Sequence, residues 1–346
     1  MSRSSEIDSY LIQARSFIDN LEFGDAQDAI VSALNVDANY APAYELLGEV
    51  FAEQEQQPNA RVAFTKAIEL DAGSLDATTG FEKYLWMGQL CETGGEQSIA
   101  YYRTGVKRLI AAIAATTEAD QPPMRARLAS AYSAMAELYM TDLCMTENAE
   151  EQCEKYVTNA LLADDRSSEA LQTLASMRLS QSRVEDAKTT LANSMSIWKD
   201  QVPGAPGFPT YASRLSLVRL LLECEMTEDA LEVLQQLEHE VDEVVDLWFL
   251  FGWTYYLQGE AHAEASEERK ESWEDARDCL HRCEKLYRRL DWNDEALKEH
   301  ASDLLGNINA AGISIEHKDE PDQEPQANGD IEEEDWESDE DEMDEN

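Results

Sequence analysis

The segment Tyr44-Glu45-Leu46-Leu47-Gly48-Glu49-Val50-Phe51, followed by Ala60-Arg61-Val62-Ala63-Phe64-Thr65-Lys66-Ala67, decides the fold. Tyr44, Leu47, Gly48 and Phe51 stand at i, i+3, i+4 and i+7, which is one stripe of an α-helix. Ala60, Phe64 and Ala67 continue the seam on a second helix, and the small side chains at Gly48 and Ala60 let two antiparallel helices approach closely. The block recurs. Tyr10, Ala14 and Phe17, then Ala26, Ile30 and Ala33, lie 34 residues earlier in the same order. Far downstream, Trp248-x2-Phe251-Gly252-x2-Tyr255 repeats the sequence of large, large, small and large side chains.

A period of 34 with these residues resembles the tetratricopeptide repeat. Nine Pro, 15 Gly and no period-2 runs of Val, Ile or Thr place the chain in the all-α class. Pairs one and two cover roughly residues 7–38 and 41–72, and the third begins near Leu75, with Phe81, Leu85 and Trp86 in its first helix. Residues 116–124 are expected to be a loop, because Pro122 and Pro123 should not both sit inside a helix. Tyr132, Met135, Ala136 and Tyr139 open the fourth pair, and Leu171, Leu174 and Ala175 the fifth. After the helix-breaking run 202–209, the sixth carries Leu217, Val218 and Leu221, and Trp248 opens the seventh. A last helix near 294–307, with Leu297, Leu304 and Leu305, is expected to cap a solenoid of about seven pairs spanning residues 1–308.

Charge dominates the composition. The formal net charge is -45, from 72 acidic and 27 basic residues. Residues 309–346 form an acidic tail that cannot bury enough apolar surface to order itself, and it is expected to be disordered. Ser338, followed by Asp339, Glu340 and Asp341, looks like an acidophilic-kinase site. Without that tail the body is still about 29 charges negative. Like charge disfavours nucleic acid and anionic membranes as partners and favours a strongly basic protein. Six cysteines without paired C-x2-C spacing read as free thiols in a reducing compartment. Cys279, His281 and Cys283 invite a metal reading, but the two cysteines share a packing stripe, so core packing is preferred. The start of the chain has no apolar h-region, and no run of 18 apolar residues occurs, which reads as a soluble protein that is not secreted.

No phosphate loop, H-E-x-x-H or G-x-S-x-G motif is present, and no enzyme or cofactor is expected. The chemistry is instead expected on the inner wall that the first helices of such pairs form. The second pair projects Glu45, Glu49 and Glu53 on one side of its helix; such like charges cost roughly 0.2–0.5 kcal/mol per pair. Nothing in that helix offsets the repulsion, which points to a basic ligand. The same mapping adds Asp76, Glu137, Glu169, Glu223 and Asp246. It also adds aromatic residues, Trp86, Phe249, Trp253 and Tyr256, whose faces suit Arg and Lys beside carboxylates.

Segments such as Glu82-Lys83-Tyr84-Leu85-Trp86-Met87-Gly88-Gln89-Leu90 with Ser98-Ile99-Ala100-Tyr101-Tyr102, and the tail tripeptide Asp335-Trp336-Glu337, resemble the fungal dedicated assembly chaperones of ribosomal protein uL4. The resemblance spans nearly the whole chain. It implies a protein of cytoplasm and nucleus that binds newly made uL4 through the client's long basic internal loop. Such a protein keeps its client soluble and releases it onto the nascent large subunit. Two rivals are a histone chaperone and a heat-shock co-chaperone. The latter needs Lys, Arg and Asn on the wall to grip a carboxylate, where this chain carries Leu11, Glu45, Leu46 and Glu49. The sequence leaves the oligomeric state open.

Overall fold

The computed structural model describes residues 3–72, 78–205, 207–264 and 266–313. Asp76, the start of the third pair near Leu75 and the tail from residue 314, with Ser338, lie outside them. Within them the chain is helical and contains no strand. Seven pairs follow one another: α1 (Arg3–Asp19) with α2 (Phe23–Val36), α3 (Ala41–Glu53) with α4 (Gln57–Asp71), and α5 (Glu82–Gln89) with α6 (Gly95–Ala115). Next come α7 (Gln121–Met140) with α8 (Ala149–Ala163), and α9 (Ser168–Ser180) with α10 (Val184–Trp198). The last pairs are α11 (Tyr211–Glu223) with α12 (Thr227–Glu240), and α13 (Val245–Glu260) with α14 (Glu267–Arg289). A single helix, α15 (Glu295–Ala310), then packs on α13 and α14 in the place where an eighth pair would begin.

The glycine stripe explains the pairing. A Cβ built on Gly48 would meet the Phe64 ring at 2.6 Å, one on Gly88 the Tyr102 ring at 2.6 Å, and one on Gly252 Leu280 Cγ at 2.5 Å. In each case a large side chain of the second helix fills the notch left by the first, so the two axes come close. Gly48→Val should therefore destabilise the chain by about 1–3 kcal/mol through overpacking. A denaturation curve indistinguishable from that of the parent would show that the second pair opens without strain.

The turns inside the pairs repeat as well. Leu21, Glu55, Ser182 and Glu225 each sit at the middle of a three-residue turn with φ between 57° and 61°. The residue after each donates its amide to a carbonyl five residues back, as Glu22 does to Phe17 and Gln56 to Phe51. This closes the first helix with a left-handed residue that is normally glycine.

Two sequence expectations need correction. Pro122 and Pro123 lie in the first turn of α7, where the amides have no helical partner to lose, so the loop is only residues 116–120, with a 3-10 turn at Glu118–Asp120. In the third pair Gly88 holds the place of Gly48, so Tyr84 leads the stripe and Phe81 stands just before α5.

Curvature follows from which helices touch. Successive first helices contact one another: α1 with α3, α3 with α5, then α7 with α9, α9 with α11, α11 with α13 and α13 with α15. Successive second helices show no comparable contact among the described residues. The first helices therefore lie on the inside of the bend, and their free faces form a wall in two stretches, α1 to α5 and α7 to α15, that α6 joins through its contact with α7.

Candidate functional site

Three hollows run along that wall. One of about 520 Å³ is lined by α1, α3 and α5, including Arg15, Glu45, Glu49 and Glu82. A second, of about 510 Å³, lies where α5 and α6 meet α7 and is closed by Glu169 of α9. The third, of about 930 Å³, crosses α7, α9 and α11. Glu137 and Glu169 line both the second and the third.

The carboxylates expected on the wall divide by what neutralises them. Glu45 Oε2 lies 3.2 Å from Lys83 Nζ, and its other oxygen accepts the Lys83 amide at 3.3 Å. Lys83 is only 2% exposed and also pairs with Asp71 at 3.2 Å, which in turn holds Arg108 at 3.1 Å. Glu49 accepts from Arg15 at 2.5 Å, and burial raises its carboxyl above the ordinary range against the pull of Arg15. Asp246 is ion-paired with Arg219. The expectation that only a basic ligand offsets the Glu45/Glu49 stripe is thus overturned: cations of neighbouring helices already do so. Glu53 and Glu223 are exposed on the ends of α3 and α11.

Glu137 and Glu169 differ. Glu137 accepts a hydrogen bond from Thr173 Oγ1 at 3.3 Å and Glu169 one from Ser130 Oγ at 3.2 Å. Neither forms a salt bridge among the described residues. Burial raises both carboxyls; Glu169 raises Glu137 further, while the Thr173 hydroxyl opposes the shift there and Ser130 and Arg127 oppose it on Glu169. Both side chains nonetheless reach solvent, and two anions that repel each other where two hollows adjoin make a receptor for a cation.

The aromatic candidates are placed otherwise than expected. Phe249 is buried, lies edge-on to His300 of α15 at 5.4 Å, and Trp253 meets the same imidazole at 5.2 Å. Tyr256 stacks on Trp273 at 5.2 Å and its hydroxyl accepts from Asn307 of α15. These three seat the capping helix, because α15 takes the position of the next first helix and covers them. Trp86 stacks on Phe64 at 6.2 Å and carries the Arg127 guanidinium at 5.7 Å, so its cation comes from within the chain.

The sequence reading missed Arg15, Arg219 and Glu82. Arg15 and Arg219 stand five residues after Tyr10 and Arg214, as Glu49 does after Tyr44, so the repeat register itself exposes them. Glu82 stands two before Tyr84, as Asp246 does before Trp248, and binds Arg127 at 2.9 Å. The hydroxyls of the third hollow, among them Ser176, Ser213 and Ser216, carry no sequence signal beyond that register.

No family model matches the chain. It is 38% identical over 276 residues to a Schizosaccharomyces pombe protein named "Probable assembly chaperone of rpl4", covering 78% of this chain and 81% of that one. A protein of the same name from Emericella nidulans is 35% identical over 298 residues, covering 82% and 75%. Among solved structures, "Assembly Chaperone of RpL4 (Acl4) (Residues 1-338)" superposes with a TM-score of 0.67 at 32% identity, over 74% of this chain and 97% of that chain. The APC/C hetero-tetramer Cut9-Hcn1 shares the fold at a TM-score of 0.55 and 14% identity, over 88% of this chain and 47% of that chain. At 38% and 35% identity over most of their length and its own, the chain belongs to the family of assembly chaperones of rpl4.

Proposed function

We propose that this chain is a dedicated chaperone of ribosomal protein uL4, and that it holds a basic segment of that client against the inner wall at α7, α9 and α11. The observation that supports the location is the Glu137–Glu169 pair, two carboxylates that line both hollows, are raised in pKa and form no salt bridge among the described residues. A client Lys or Arg between them supplies the Coulomb attraction that offsets their repulsion. The ring of Ser and Thr hydroxyls around the third hollow supplies hydrogen bonds to an extended backbone.

A free ribosomal protein exposes segments built for phosphate and would bind nucleic acid indiscriminately. Occupying them with carboxylates keeps the client soluble and mute. Ribosomal RNA, with its denser charge, then takes the segment by competition on the nascent large subunit, and no nucleotide hydrolysis is required. On this reading the protein works in the cytoplasm, where uL4 is made, and in the nucleus, where the large subunit is built. The long internal loop of uL4 is the segment we assign to the groove. The heat-shock co-chaperone reading finds little support, because Arg15, Arg127 and Arg219 are each tied to a carboxylate of a neighbouring helix.

Co-expression tests this reading against the histone alternative. The chain should keep uL4 soluble at one-to-one stoichiometry, and purified histone dimers at physiological salt should not displace it. Equal retention of histones and uL4 would replace the dedicated role with a general affinity for basic proteins.

A further inference from the structure

The turns that lead from one pair to the next at 37–40, 164–167 and 241–244 have four residues, whereas Lys199–Thr210, between α10 and α11, has twelve. Its described residues are held by backbone hydrogen bonds. Gln201 donates to Trp198 at 2.8 Å, Ala205 to Val202 at 3.0 Å and Phe208 to Ala205 at 2.9 Å. The Phe208 ring meets Trp198 edge-on at 5.5 Å, and Pro209 is buried.

What fixes the segment is a buried cation. Arg214, in the first turn of α11, is 2% exposed and gives its two terminal nitrogens to the two oxygens of Glu240, at 2.8 and 2.7 Å. Its guanidinium lies over Phe208 at 4.8 Å and over Tyr211 at 5.9 Å. Arginine is almost never buried unless paired, and a planar fork stacked on an aromatic ring cannot be replaced by an ammonium. The pairing holds the Glu240 carboxyl below its ordinary range. The stack between pairs does not require this arrangement, since shorter turns serve elsewhere. Its product is a surface: Gly207, Phe208, Pro209 and Thr210 line the 930 Å³ hollow together with Met140 of α7 and Leu220 of α11. The same hollow holds Glu137, Glu169 and Glu223.

We propose that residues 207–210 form a specificity wall that seats an aliphatic or aromatic side chain of the client next to the cationic ones, and that Arg214 is its positioning residue. The inference rests on the groove reading above and narrows it: the preferred partner is a segment in which an apolar residue stands beside Arg or Lys. Charge draws in any basic peptide. The apolar wall separates one basic peptide from another, because a basic segment without an apolar residue leaves the open parts of Phe208 and Leu220 in water.

Overlapping peptides that span the basic segments of uL4 provide the probe, each paired with a version in which Leu, Ile, Val, Met and Phe are replaced by Ser at unchanged charge. Titrated against the full chain, the best natural peptide should bind about tenfold or more tightly than its Ser version for each apolar side chain that enters the wall. In Arg214→Lys that ratio should fall toward one, chiefly through loss on the natural peptide. Equal affinity of natural and Ser peptides for the parent chain would overturn the specificity wall and leave the acidic groove standing. Failure of every peptide to bind would overturn both. An equal loss on both peptides in Arg214→Lys would overturn the positioning role, since a structural defect does not read side chains.

Discussion

A chain carrying Glu137→Gln and Glu169→Gln is expected to bind uL4 roughly 30-fold or more weakly than the parent, as the loss of one side of a close charge pair across an interface commonly does. It is also expected to melt no lower than the parent, and preferably higher. The combination is diagnostic, because most substitutions that harm binding by damaging the fold lower both. The sign follows from the direction of the shifts. Burial raises both carboxyls, so the folded chain holds those protons more firmly than the unfolded one. Stability from this source is complete below the ordinary carboxylate pKa and is lost as the pH rises through the raised values. Ionising either group above that range carries a cost that glutamine removes. Client binding needs the anions, so it should weaken as the pH falls through the same raised values. Calorimetric titration with uL4 and a melting curve on the same protein check both halves. A melting temperature that falls in step with affinity would assign the pair to the scaffold.

The largest effect on stability is expected at Lys83. Its ammonium is almost fully buried between Glu45 and Asp71, and Lys83→Ala leaves the Glu45 carboxylate without its cation in a poorly solvated place. Breaking a buried ion pair by removing one partner costs about 3–5 kcal/mol. Lys83 sits at the junction of the second and third pairs, and in a solenoid each repeat draws stability from its nearest neighbours. The loss should therefore appear as early unfolding of α1 to α4 with α11 to α14 still intact. Hydrogen exchange along a urea series resolves the two ends. Uniform loss along the chain would mean that the array unfolds as one unit, and a loss below about 1 kcal/mol would show that water reaches the site.

How much of this was legible beforehand depended on the kind of residue. The pair register was plain from Gly48 and Phe64, because a notch and a filler at fixed spacing leave a sequence trace. The capping helix was equally plain from Leu297, Leu304 and Leu305, which are buried as expected. Electrostatic partners left no such trace. Arg15 and Glu49 are 34 residues apart, Lys83 and Glu45 are 38 apart, and only the stack brings them together. Reading the wall as a list of acidic positions therefore overstated its free charge. Reading every repeat at the same offset would have set Arg15 and Arg219 among the glutamates. Phe249, Trp253 and Tyr256 failed for a geometric reason: in the last pair the place that faces the groove elsewhere is covered by the helix that ends the stack. Pro122 and Pro123 failed because proline breaks the middle of a helix and not its first turn.

The account turns on where the client lies, and site-specific photo-crosslinking reads that directly. A benzophenone amino acid at Ser176, on the α9 wall, and another at Thr189, exposed on α10, should be compared in complexes with full-length uL4. The expected result is a crosslink from Ser176 to a basic segment of uL4 and none from Thr189. Crosslinks from Thr189 with none from Ser176 would place the client on the outer helices and contradict the groove.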